Sequence, residues 1–149
     1  MAAYDQAEPL FRKVRSDRGL ANTLLARGDL LQLLGKTEEA MEAFDRAEPL
    51  FRKVRSDLGL ANTLQSRGDL LRQMKKYDLA LQCYDQAESL YRKEQKPMGL
   101  GYTLAEKYRC LRGFRHRRKK SQIRAELLQL LPTLSPPAQK YIMRILDRS

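Results

Sequence analysis

Among the side chains able to carry chemistry, the thiols and the imidazole are few: Cys83, Cys110 and His116 are the only ones in 149 residues. Three such groups cannot furnish a four-ligand zinc site at any usual spacing, and two thiols are too few for a disulfide framework. Packed free cysteines are the expectation. No nucleophile stands near a base, no glycine-rich run would cradle a phosphate, and the carboxylates are expected on exposed helix positions beside Lys or Arg. No catalytic residue, metal ligand or cofactor is therefore assigned. Arg27-Gly28-Asp29 and Arg67-Gly68-Asp69 spell an adhesion tripeptide. Both fall within predicted helices rather than on a presenting loop.

Positive charge is the strongest chemical signal. The formal net charge is +11, and it is unevenly spread: residues 1–106 hold 17 Lys and Arg against 16 Asp and Glu, while residues 107–149 hold 12 against 2. At the centre lies Arg115-His116-Arg117-Arg118-Lys119-Lys120, whose Arg115, Arg117, Arg118, Lys119 and Lys120 are candidate anion-binding residues. The plainer alternative is a solvated basic turn. Like charges three and four apart each weaken a helix by roughly a few tenths of a kcal/mol, so a loop or frayed end is expected there. With no interleaved aromatics and no base-reading motif, nucleic acid could be held by its phosphates alone and is not the favoured partner.

The elements that must position these groups follow from repetition. Asp5 to Leu24 recurs as Asp45 to Leu64 with only Gln6/Arg46 and Arg18/Leu58 different, and a diverged third copy runs from Asp85 to Leu104. A period of forty residues in a Leu-, Ala- and Glu-rich chain without Trp predicts stacked helical units, each burying its apolar face against its neighbours. Ser16-Asp17 and Ser56-Asp57 offer N-cap oxygens, and Pro97 suits a first helical turn. Leu20, Leu24, Leu31 and Leu34, with Gly28 between, mark the buried stripe of the first helix of a pair. Gly35 is free to take the left-handed conformation that ends it, and Glu38 and Glu39 favour the start of the next helix. The second helix carries Ala40, Ala43, Phe44, Ala47, Leu50 and Phe51 on one face. Beyond the basic run, Ile123, Leu127, Leu128, Leu130 and Leu131 predict another helix ended by Pro132, and Ser135-Pro136-Pro137 opens a last one with Tyr141, Ile142, Ile145 and Leu146. Lys140, Arg144 and Arg148 give that last helix a basic stripe.

Gly28, Gly35, Ala40, Phe44 and Ala47, matched by Gly68, Tyr77, Ala80, Tyr84 and Ala87 one unit on, resemble the tetratricopeptide repeat family in its longer-period form, as in bacterial regulatory arrays and kinesin-light-chain-like adaptors. The resemblance implies an all-α fold, a right-handed α-solenoid of antiparallel helix pairs with about two and a half to three repeats and a C-terminal capping helix. The divisions are a half repeat at 1–15, repeats at 17–54 and 57–94, a diverged basic repeat at 97–131 and the cap at 135–149. The chain departs from the family pattern at Leu24 and Leu64, where a large aromatic is common, and at Arg27 and Arg67, where a core Leu is common. Those arginines are expected to run between units with the guanidinium paired outward.

The resemblance also implies a non-enzymatic scaffold that holds a protein or peptide, with an acidic ligand among the candidates, against the first helices of successive units. Groove positions are then Asn22, Leu25, Asp29, Gln32 and Leu33; Asn62, Gln65, Asp69, Arg72 and Gln73; and Tyr102, Ala105, Arg109 and Arg112. Met1 aligns with Met41, so the chain is expected to begin in the second helix of a unit. The face bearing Tyr4, Leu10 and Phe11 is then a candidate for self-association into a homo-oligomer. An electrostatic nucleic-acid module and a self-assembling array are the competing classes. With no membrane span and no leader pattern expected, the cytoplasm is the expected compartment.

Overall fold

A computed structural model describes residues 2–13 and 16–148, apart from the side chains of Phe11, Arg12, Lys13 and Phe114. Among the described residues eight α-helices follow one another: α1 (Ala2–Lys13), α2 (Asp17–Leu33), α3 (Thr37–Lys53), α4 (Asp57–Gln73), α5 (Tyr77–Lys93), α6 (Pro97–Cys110), α7 (Arg117–Leu130) and α8 (Pro136–Asp147). Among the described residues there is no strand. Each helix from α1 to α6 packs on the next, α7 and α8 both pack on α6, and α2, α4 and α6 also touch in series, which is the arrangement of a helical repeat solenoid.

Local chemistry explains the regularity. Helices α2 to α5 are each 17 residues long and are separated by three-residue turns. Ser16 and Ser56 accept hydrogen bonds from the Gly19 and Gly59 amides at the starts of α2 and α4, and Pro97 occupies the first turn of α6. At the other ends Gly35, Arg55, Lys75 and Gln95 all take positive φ, and the following amide reaches back to the carbonyl five residues earlier. Only the first of these four turns has the residue that adopts this conformation without cost.

The core is built from glycines in first helices facing aromatics in second helices. A Cβ at Gly28 would lie 2.4 Å from the Phe44 ring, at Gly68 2.7 Å from Tyr84, at Gly59 2.3 Å from Phe51 and at Gly99 2.4 Å from Tyr91. Phe44 and Tyr84 thus join helices within a pair, whereas Phe51 and Tyr91 join one pair to the next. Gly101 replaces Ala21 and Ala61 of the earlier units and makes room for Leu134 and Ile142, which close the stack from the C-terminal side.

Three expectations are corrected. Leu34 is not part of the buried stripe but lies 57% exposed where α2 has ended, and Leu128 is likewise exposed on α7. Ala105 is fully buried and presents nothing to a groove. The basic run is not a loop: Phe114–His116 form one 3-10 turn, and Arg117 to Lys120 are the first turn of α7. Ile123 and Leu127 are buried further along α7, so tertiary packing outweighs the unfavourable charge at its start.

Candidate functional site

Ion pairs repeat with the period of the array. Arg27 pairs with Asp5 and Glu8 at 3.4 and 3.5 Å, Arg67 with Asp45 and Glu48 at 3.1 and 2.9 Å, and Lys107 with Asp85 at 2.6 Å and with Glu88. The outward pairing expected of Arg27 and Arg67 is thus the rule at every inter-unit step. It fixes the spacing at which the first helices present their remaining side chains.

Those side chains differ between units because two phenylalanines become tyrosines. Phe44 is replaced by Tyr84, whose hydroxyl donates to Asp69 at 2.5 Å, and Phe51 by Tyr91, whose hydroxyl donates to Asn62 at 2.7 Å. The equivalent Asp29 and Asn22 face phenylalanines, and both stay exposed. Asp69 also accepts from Tyr102 at 3.0 Å, and Gln65 accepts from the Thr103 hydroxyl at 3.3 Å. Of the predicted groove residues, Gln65 and Asp69 are therefore joined to α6, the helix of Tyr102, and Asn62 to α5. Burial pushes the Asp69 carboxyl up to about 6, the tyrosine hydroxyls and Arg72 pulling it down and nearby Glu106 pushing it further up. Tyr84 and Tyr102 are raised first by their own burial and then by the Asp69 carboxyl.

Glu106 was not singled out from sequence, yet it is fully buried. Its carboxylate meets Arg72 Nε at 2.7 Å in an ion pair too bent for a hydrogen bond, Arg109 at 3.2 Å, and the Tyr141 hydroxyl. The Tyr141 ring stacks on Tyr102 with centroids 5.5 Å apart. Glu106 thereby ties α4, α6 and α8 together. The available signal was the charged residue at a position held by Ala26 and Ser66 in the earlier units.

Next to this tie lies a cleft of about 580 Å³ between α6, the start of α7, and α8. Tyr108, Leu111, Tyr141 and Ile145 supply its less polar walls, and Arg109, Arg112, Lys120, Arg144 and Arg148 its charges. Among the described residues no carboxylate lines it. Lys120 Nζ sits 4.5 Å from the centre of the Tyr108 ring, and Arg112 lies 5.0 Å from that of Tyr77. Of the anion-binding residues expected from the basic run, only Lys120 enters this cleft. Arg115, Arg117, Arg118 and Lys119 are exposed outside it. The other convergent cations come from the end of α6 and the residues just after it, and from the last turn of α8 and the residue that follows.

At the other end, Tyr4 is half-buried and Leu10 is 64% exposed, while the Phe11 side chain lies outside the described residues. Glu8 is buried against Arg27 and Arg46, so the inner side of α1 is held by charge as well as apolar contact. Cys83 is half-buried and Cys110 buried, both as free thiols. Burial raises Cys83 and pushes Cys110 up to about 11. Among the described residues no three His, Cys, Asp or Glu side chains gather as a metal site, and no helix is long and apolar enough to cross a membrane.

The family model of the tetratricopeptide repeat matches residues 19–93, half of the chain. No curated protein and no solved structure matches it. Members of this family are generally non-enzymatic protein-interaction scaffolds. The matched segment holds α2 to α5, with their forty-residue period, their glycine–aromatic contacts and their three-residue turns, and the chain belongs to the tetratricopeptide repeat family.

Proposed function

We propose that this chain is a scaffold that holds a segment of a partner protein along the face formed by its first helices α2, α4 and α6. The observation that carries this reading is the series of touching first helices bearing exposed polar side chains: Asn22 and Asp29 on α2, Asn62 and Gln73 on α4, and Arg109 on α6 with Arg112 just beyond its end. Carboxamides both donate and accept, which suits a peptide backbone whatever its side chains. Asp69, Arg72, Tyr102 and Gln65 lie beneath as the polar layer that holds these helices in register. The face changes from acidic and neutral at α2 to basic at α6, which would orient a bound segment.

Peptides selected from a random displayed library against the full chain provide the test. Binding of the selected peptides is then measured for the double variant Asn22→Arg, Gln73→Arg and for Gln82→Arg, Gln86→Arg, which makes the same charge change at exposed positions of α5. At least a tenfold loss confined to the first pair is expected. Equal losses in both pairs, or a loss confined to the α5 pair, would refute the reading.

A further inference from the structure

We infer that the cleft between α6, α7 and α8 is a docking site for an acidic segment of a partner protein, one carrying several carboxylate side chains close together in sequence. This inference rests on the scaffold reading above and assigns the chemistry of what the scaffold holds.

The electrostatic argument starts with the five cations around one cleft of about 580 Å³. Glu106 compensates Arg109 from below. Among the described residues, Arg112, Lys120, Arg144 and Arg148 have no carboxylate at ion-pair distance. By contrast, the cations at the steps between units, Arg27, Arg67 and Lys107, are each paired with carboxylates. Holding unneutralised cations together costs free energy in the empty protein, and an anion recovers it on binding.

Shape selects the kind of anion. The volume suits a short stretch of side chains. Tyr108 and Leu111 are buried walls, and Ile145 lies half-buried beside them, so the cleft offers apolar surface to methylene stems and guanidinium groups to their carboxylates. Phosphate contact along a nucleic acid would instead favour the exposed row Arg115, Arg117, Arg118 and Lys119, which lies outside the cleft. The walls are also well fixed, because Arg124 donates to the Leu146 carbonyl at 3.0 Å and Tyr141 is clamped between Tyr102 and Glu106.

Fluorescently labelled hexaglutamate is titrated against the full chain, with hexaglutamine, a twelve-nucleotide oligothymidine and anionic phosphatidylserine vesicles as parallel probes. Two variants carry the same net charge: Arg144→Glu, Arg148→Glu in the cleft, and Arg117→Glu, Arg118→Glu in the exposed run. Circular dichroism confirms that each remains helical. The inference predicts binding of hexaglutamate but not hexaglutamine, weakened at least tenfold by the cleft pair and less than threefold by the run pair. Equal weakening by both pairs would reveal unlocalised attraction and overturn it, as would no hexaglutamate binding. Tighter binding of oligothymidine or vesicles, lost in the cleft pair, would overturn the assignment to a protein segment. Library peptides lost with Asn22→Arg, Gln73→Arg but unaffected by the cleft pair would leave the scaffold reading standing and remove this inference alone. If the library yields no peptide while hexaglutamate binds as predicted, the first-helix reading fails instead.

Discussion

Asp69 should make the array less stable at neutral pH than a neutral side chain would. Its carboxyl is buried beneath α6 beside Glu106, and its ionisation is pushed up to about 6 from an ordinary 3.8. Because the folded chain holds this proton more tightly than the unfolded chain, the associated stability is present at low pH and is lost as pH rises from about 4 through 6. Once Asp69 is ionised in both states, the cost amounts to about 3 kcal/mol. Asp69→Asn keeps an oxygen acceptor for one of the Tyr84 and Tyr102 hydroxyls, turns an amide donor to the other, and cannot ionise. Urea unfolding of both proteins at pH 4.5 and 7.5 isolates the effect, because other groups titrate alike in the pair. The stability of the variant relative to the parent should rise by about 2 kcal/mol over that interval, whatever constant offset the amide introduces. A difference that does not change with pH would refute the argument. A trend of the opposite sign would show that the tyrosine hydroxyls and Arg72 hold the carboxylate charged despite its burial.

Three further substitutions probe packing, backbone conformation and a buried hydrogen bond in turn. Gly68→Ala puts a Cβ within 2.7 Å of the Tyr84 ring and should cost about 1–3 kcal/mol by thermal or urea unfolding. Gly35→Ala meets no atom within 4 Å but must hold φ near +74°, so it should cost about 1 kcal/mol from backbone conformation alone. Equal and negligible costs would contradict both explanations. Tyr141→Phe deprives buried Glu106 of one donor and should lower stability by about 1–3 kcal/mol. Hydrogen exchange should then show the loss as faster opening of α8, whereas protection unchanged throughout α8 would show that Tyr141 is not a tie.

Much of the fold was legible because local and global signals agree. The period placed the units, Ser16, Ser56 and Pro97 marked helix starts, and Gly35 marked a stop. The turns at Arg55, Lys75 and Gln95 were not marked by composition, because repetition of the surrounding contacts imposes positive φ on residues that do not prefer it. Glu106 escaped notice because a lone glutamate in a helical pattern reads as solvent-facing; only the partners brought from α4 and α8 make its burial tolerable. The consequence of replacing Phe44 and Phe51 by Tyr84 and Tyr91 was equally hidden. Those two hydroxyls tie Asp69 and Asn62 into the array, whereas the phenylalanines facing Asp29 and Asn22 offer no donor. The basic run drew attention by its density, yet convergence of charge depends on which helices meet, and Arg144 and Arg148 reach the cleft from α8.

The most direct measurement of the central claim is amide chemical-shift mapping of the full chain with a library-selected peptide bound. Shifts are expected to concentrate on the exposed positions of α2, α4 and α6, including Asn22, Gln73 and Arg109, with α3 and α5 little changed. Shifts centred on Gln82 and Gln86 of α5 would place the partner on the second helices and contradict it.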